Sequence, residues 1–195
     1  HGLREEDVAA ALSTVTVRPV LNTVQQVRRW RDAGGGACDV MVDTGMNRLG
    51  IQPEEVAAGL LDGLQVETLL SHLASADEDV PHNRVQRDRF AALAGKSGAR
   101  RMSLANSAGI ALGQDYAFDL TRPGIALYGA VPVAAFDGRI RQVVTPEVQV
   151  LQRRLVPAGQ SVGYNATWTA AADTEVAVLN LGYADGYLRC FSGKG

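Results

Sequence analysis

Four stretches of this sequence place polar side chains directly after short apolar runs: Asp43-Thr-Gly-Met-Asn-Arg48, Ser71-His72-Leu-Ala-Ser-Ala-Asp77-Glu78, Asn106-Ser107 and Thr121-Arg122-Pro-Gly. In a parallel α/β arrangement functional groups gather where strands end and loops begin. Together these stretches offer two arginines, a histidine, a hydroxyl and glycine-flanked backbone. That mixture suits an anionic ligand, because backbone N–H groups and a serine cradle phosphate while arginines fix carboxylates or ring atoms. Each stretch also has a plainer reading. Asp43-Thr-Gly alone is more simply a turn in which Asp43 bonds its own following backbone. A lone Arg48 or Arg122 is more often a surface or salt-bridged group, and His72 suits a hydrogen-bonded core position as well as a catalytic one. His72, Asp77, Glu78 and His82 match no metal-ligand spacing, so no metal is assigned. The order of the stretches along the chain is what carries weight.

The elements that must position them alternate. Val17–Leu21 reads as a strand, followed by a helix capped by Asn22 with Gln25 at capping-box spacing. Val24, Val27 and Trp30 recur every three residues and share one face of that helix. After the Gly34-Gly35-Gly36 break, Cys38–Val42 is a second strand. Pro53 opens a helix, with Glu54 and Glu55 beside it at the positive end of the dipole. Val66–Leu70 is a third strand and Asn83–Ala94 a helix with a less regular apolar face. Met102–Ala105 and Phe118–Leu120 complete the series as short strands. Alternating strands and helices imply parallel pairing, hence an α/β sheet or barrel. Past residue 140 the segments around Val148, Gln160 and Glu175 are β-like and broken by glycine. The stretch from Pro132 to Gln142 reads as the connection between the two regions.

The bulk properties exclude several classes. The chain has 195 residues, 46% hydrophobic and 21% charged, the profile of a globular protein with a core. A formal net charge of −2 gives no reason to expect nucleic acid or an anionic membrane as partner. No apolar run approaches membrane-spanning length. Cys38 and Cys190 form no CxxC pair, so reduced thiols in a cytoplasmic protein are expected. Lys96 and Lys194 are the only lysines. The start, His1-Gly-Leu, and the Gly-Lys-Gly ending read as cuts rather than natural termini.

The ordered motifs resemble the alanine racemases, enzymes that depend on pyridoxal 5'-phosphate. Asp43-Thr-Gly-Met-Asn-Arg-Leu-Gly, Ser71-His-Leu-Ala-Ser-Ala-Asp-Glu, Ala105-Asn-Ser-Ala-Gly, Arg122-Pro-Gly-Ile-Ala-Leu-Tyr-Gly and Gly182-Tyr-Ala-Asp-Gly-Tyr are similar to that family's segments, in the family's order. The resemblance implies a partial (β/α)8, TIM-like barrel over residues 1–131, a connection over 132–144 and the beginning of a β-rich C-terminal domain over 145–195. It implies that Arg122 bonds the pyridine nitrogen of the cofactor, and that Ser107 with the backbone of Gly124 and Ile125 holds its phosphate. Arg48 would sit near the phenolic oxygen and the substrate carboxylate. His72 would bridge Arg122 and the catalytic tyrosine, Tyr183, whose acid/base work serves one face of the substrate. Tyr164 and Tyr187 would fill a core instead. The implied activity is interconversion of L- and D-alanine by two bases, supplying D-alanine for peptidoglycan. The implied assembly is a cytoplasmic head-to-tail homodimer with shared active sites.

Two departures stand out. The family's second base is a lysine early in the barrel that also anchors the cofactor. Lys96 follows a helix and Lys194 is the penultimate residue, so neither fits, and the 195 residues alone are expected to be inactive. Many members also carry a carbamate-modified lysine two positions before the Asp-Thr-Gly aspartate; here that position is Met41. The alternatives are a racemase of broader specificity, a decarboxylase on the same fold, and a non-catalytic cofactor-binding barrel. The tyrosine motif argues against the decarboxylase and the β-rich region against the barrel alone.

Overall fold

The computed structural model describes residues 2–14 and 16–191. The chain forms one compact unit ending at Val144 and a second beginning at Thr145. In the first, α1 (Val8–Ser13) precedes β1 (Val20–Leu21), α2 (Val24–Asp32), β2 (Cys38–Met41), α3 (Pro53–Ala57), β3 (Val66–Leu70), α4 (Pro81–Ala91), β4 (Arg101–Ser103) and α5 (Gln114–Ala117). The four strands form one sheet in the order β1-β2-β3-β4, and every pairing is parallel. Neighbouring parallel strands joined through helices are the construction of a (β/α) barrel, of which four strands are a part.

The core lies between sheet and helices. Cys38 and Val40 on β2 are buried, while Asp39 and Met41, on the opposite face, are half-buried. Leu21, Val27, Trp30, Val56, Leu69, Phe90 and Leu104 fill the layer between. The Val27 and Trp30 face of α2 is buried as its spacing predicts. Its cap differs: Thr23, not Asn22, takes the N-cap and accepts from Gln26 N at 3.2 Å. Gln26, not Gln25, reaches back to Asn22 N at 2.7 Å. The first strand begins at Val20, later than Val17. Pro19 accepts a single bond from Asp39 N, after which the ladder starts.

Phe118–Leu120 is not a strand. Phe118 adopts φ 51°, and its ring meets Phe90 edge-on at 5.0 Å. The segment instead grips the edge of β4 through Asp119, whose carboxylate accepts from Met102 N at 2.8 Å, and through Ser103 Oγ, which donates to Leu120 O at 2.6 Å. One backbone bond, Asp119 N to Met102 O at 3.0 Å, and these two side-chain bonds stand where a strand ladder was expected.

The loop after β2 is closed tightly. Asp43 N donates to Ile51 O and Ile51 N to Met41 O, both at 2.9 Å, so residues 43–50 leave the sheet and return to the same point. Gly50 has φ 137°, and a Cβ there would lie 2.5 Å from Asp43 N. Only glycine fits that crossing.

In the second unit β5 (Val150–Val156) pairs antiparallel with β8 (Thr174–Leu179), and β6 (Ser161–Val162) with β7 (Trp168–Thr169). Val156 and Ala170 are buried. Tyr164 is 92% exposed and Tyr187 41%, so neither fills a core. Too little sheet is present in these 51 residues to bury an aromatic ring of that size. Among the described residues no helix is long and apolar enough to cross a membrane.

Replacing Gly50 with alanine forces a side chain into the Val42–Asp43 backbone. Gly50→Ala is expected to destabilise the protein by about 2 kcal/mol or more. Urea unfolding checks this, and an unchanged midpoint would contradict the closed-loop account.

Candidate active site

The loops that follow β2, β3 and β4 converge at one end of the parallel sheet. A cavity of about 330 Å³ opens there, lined by His72, Asp77, Asn106, Ser107, Arg122 and Gly124 among others. That volume lies in the range of about 300–1,000 Å³ typical of small-molecule sites.

Arg122 is its anchor. The backbone N–H of Arg122 donates to Ala105 O at 2.9 Å, which sets the residue beside β4. One guanidinium nitrogen donates to Ser103 O at 2.8 Å and also contacts Ser103 Oγ, while the other donates to Ser71 O. The cation is therefore held by the ends of two strands. Among the described residues no carboxylate forms a salt bridge with Arg122 or with Arg48. Burial lowers the Arg122 pKa, although a guanidinium remains charged at neutral pH. A partly desolvated cation without a counter-charge is costly unless an electron-rich ligand meets it.

His72 stands beside it, half-buried, with Nε2 at 3.5 Å from the Asn106 side-chain nitrogen. Burial first, then the charges of Arg122 and Arg48, lower its pKa, so its imidazole is neutral at pH 7. Asn106 Oδ1 accepts from Gly109 N at 2.9 Å, which fixes the turn that carries Ser107. Ser107 Oγ accepts from Gly124 N at 2.8 Å and from Ala126 N at 3.3 Å. One hydroxyl and two convergent N–H groups make an anion cradle. Ile125 also lines the cavity, but the second N–H at the serine is that of Ala126. A Cβ built on Gly124 meets nothing within 4 Å, so the cradle is open to a ligand.

The plainer reading of Asp43 is the one realised. Its carboxylate accepts from Gly45 N at 2.8 Å, Met46 N at 2.9 Å and Arg48 N at 3.1 Å. Asp43 shapes the loop, and Arg48 extends exposed from it. A larger cavity of about 440 Å³ lies behind this loop, lined by Glu54, Arg89 and Lys96 among others. Lys96 thus lies in the outer cavity and does not line the one that holds His72 and Arg122. Lys194 lies outside the described residues. Tyr183 belongs to the second unit, where Gly182 N donates to Asp185 Oδ2 at 2.9 Å and closes the turn that carries it. It is 71% exposed and lines a cavity with Tyr164, Trp168 and Tyr187.

Sequence reasoning passed over Ser71 and Thr44. Both are buried, and their hydroxyl oxygens lie 2.7 Å apart, tying the loop after β2 to the end of β3. A small hydroxyl beside each motif was the only available signal.

Comparison with known proteins identifies the family. Residues 1–132 match the family model for the alanine racemase N-terminal domain, and residues 143–195 that for the C-terminal domain. An alanine racemase of Acidiphilium cryptum is 41% identical over 188 residues, covering 91% of this chain and 53% of the relative. One from Rhodospirillum rubrum is 44% identical over 182 residues, covering 88% and 49%. The crystal structure of alanine racemase from Bartonella henselae with covalently bound pyridoxal phosphate superposes with a TM-score of 0.81 at 30% identity, covering 97% of this chain and 56% of that one. The chain spans about half the length of the curated relatives it matches.

The depressed His72 pKa has a measurable consequence. The unfolded chain takes up this proton more readily than the folded one. The resulting stability is therefore full above the unfolded value of about 6.5 and is lost as pH falls through the lower folded value. NMR titration of the His72 ring is expected to give a midpoint below that of the denatured protein. Arg48→Gln should raise it only part of the way, because burial is the larger cause. A folded midpoint at or above the denatured one would contradict this electrostatic picture.

Proposed function

The chain belongs to the alanine racemase family, and on that premise we propose that the whole protein interconverts L- and D-alanine with pyridoxal 5'-phosphate as cofactor. The observation that carries the proposal is Arg122, a guanidinium held by strand-end carbonyls at a cavity that Ser107 and Gly124 also line, with the N–H groups of Gly124 and Ala126 converging on the Ser107 hydroxyl. A cation without a carboxylate partner among the described residues and an anion cradle lining the same cavity fit a ligand with an electron-rich ring nitrogen and a phosphate. When bound, the cofactor supplies an electron-withdrawing ring that acidifies the α-hydrogen of the amino acid.

The chain's own residues then take distinct parts. Arg122 would donate a hydrogen bond to the ring nitrogen while keeping its own proton. Ser107, Gly124 and Ile125, with Ala126 beside them, hold the phosphate. Arg48, exposed and without a carboxylate partner, receives the substrate carboxylate and the phenolic oxygen. Neutral His72 links Arg122 to Tyr183. Tyr183 takes and returns the α-proton on one face. A free tyrosine has a pKa of about 10, so it needs the nearby positive charge to act near neutrality.

Tyr183 is carried by the second unit, and we assign it to the site of a partner copy in a head-to-tail homodimer. Residues 1–131 are read as the later part of the cofactor-binding barrel and 145–195 as the start of the β-rich domain, joined by 132–144. Neither Lys96 nor Lys194 is assigned to the site. The second base and the cofactor anchor then come from outside these 195 residues, and the chain alone is expected to be inactive. The reading places the enzyme in the cytoplasm.

The test is incubation of the full-length protein with L-alanine in deuterated water. D-Alanine carrying deuterium at the α carbon is expected, with Tyr183→Phe lowering the rate by roughly 10²-fold or more. Release of carbon dioxide, or absence of α exchange, would overturn the assignment.

A further inference from the structure

The inner face of α4 is more polar than a packing helix requires. Its buried positions are Asn83, Gln86 and Phe90, and Gln86 is 0% exposed. A buried amide is costly where its donors and acceptor are left unmade; Asn83 Oδ1 has no partner, whereas Gln86 is engaged at both ends. Gln86 engages both ends on the loop that carries His72. Its Nε2 donates to His72 O at 3.0 Å, and its Oε1 accepts from Ala74 N at 2.9 Å. These are the two bonds that a neighbouring strand would supply to one residue pair. At the point where β3 leaves its sheet, the Gln86 side chain takes the place of a strand. Three residues before it, Asn83 Nδ2 donates to Ser75 O at 2.9 Å and Glu78 O at 2.8 Å.

The same helix also grips the loop that carries Arg48. His82 Nε2 lies 3.1 Å from Gly45 O, and Arg89 donates to Thr44 O at 3.3 Å. One short helix is therefore bonded to the backbone of two loops that come from different strands and meet at one site.

We propose that Gln86 is a positioning residue for His72, and that α4 fixes the spacing of the His72 loop and the Arg48 loop. The assignment rests on the racemase reading of the site, because it concerns a residue placed in that reaction. Gln86 acts through the peptide groups on either side of Leu73, which aim His72 toward Arg122 and Asn106. The charged groups around His72 are Arg122, Arg48 and, on its own loop, Asp77.

The test uses the full-length enzyme with two variants. Gln86→Met keeps length and apolar packing but loses both bonds. Gln86→Glu keeps an acceptor for Ala74 N, and it can donate to His72 O only when protonated. The ratio of variant to wild-type kcat for Gln86→Glu is therefore expected to fall as pH rises. Gln86→Met is expected to lose at least tenfold in kcat at every pH, with the KM for alanine changed less than threefold. Val85→Ala, on the exposed face of the same helix, should leave both parameters unchanged. Two readouts need no turnover or cofactor: exchange of the Ala74 amide hydrogen should accelerate in Gln86→Met, which loses its acceptor, and stay slower in Gln86→Glu, which keeps it, while the His72 NMR titration midpoint should shift in both.

A pH-independent Gln86→Glu ratio with an unshifted His72 midpoint would overturn the proposal and leave Gln86 a packing residue. If Gln86→Met does not fold, the Gln86→Glu profile alone decides. If the wild-type protein racemises nothing, the functional reading fails, while Ala74 exchange and the His72 midpoint still decide what Gln86 does.

Discussion

The site depends on a half-buried cation that no carboxylate among the described residues neutralises. Arg122 bonds only carbonyl and hydroxyl oxygens, from Ser71 at the end of β3 and Ser103 on β4. Carbonyl dipoles orient a guanidinium but leave its charge in place. That charge helps keep His72 neutral and leaves the cavity biased toward electron-rich ligands. A carboxylate at Ser71 or Ser103 would have stabilised Arg122 more in isolation, and it would also have cancelled the potential the cavity offers. The neighbouring positions are hydroxyls instead, and Ser103 also ties in the Leu120 carbonyl.

A charge held on strand ends is useful only if the loops around it do not drift, and here side chains add to the few backbone bonds that close the loops. Asp43 accepts with its carboxylate from three N–H groups of its own loop, Asn106 Oδ1 accepts from Gly109 N in the turn that carries Ser107, and the amides of Gln86 and Asn83 bond the loop after His72. Each bond contributes only about 1 kcal/mol net, yet an unmade buried one costs more. The arrangement therefore resists partial loosening. Misplacing one loop strands several polar groups at once.

The sequence disclosed this unevenly. Val66–Leu70 was legible to the residue because β-branched Val66 and Thr68 favour an extended chain and Leu69 and Leu70 supply its apolar end. Arg122, His72 and Ser107 were legible because their motifs occur in order, and the structure brings them to one cavity. The inner face of α4 was not: its buried stripe is Asn83, Gln86 and Phe90, which hydropathy scores as mostly polar, so the helix reads as irregular. Phe118–Leu120 misled for the opposite reason. Its apolar residues suggest a strand, but the positive φ at Phe118 and the Asp119 anchor are tertiary choices that no local pattern displays. The Asn22 cap was displaced by one residue to Thr23, within the precision that competing cap residues in tandem allow.

Met41 sharpens the question of how Arg48 is aimed. The family resemblance puts a modified lysine at this position in many members, where its charge would steer the arginine, and a thioether cannot do so. In this chain the steering moves from the side chain to the backbone. Asp43 accepts from Arg48 N at 3.1 Å, and the loop is drawn shut where Gly50 passes the Val42–Asp43 backbone. Gly45 O and Thr44 O are then fastened to α4. The position of the Arg48 backbone is thus fixed at several points while its guanidinium stands exposed without a carboxylate partner among the described residues. An arginine anchored at its root and uncommitted at its tip takes its final orientation from the anion it meets.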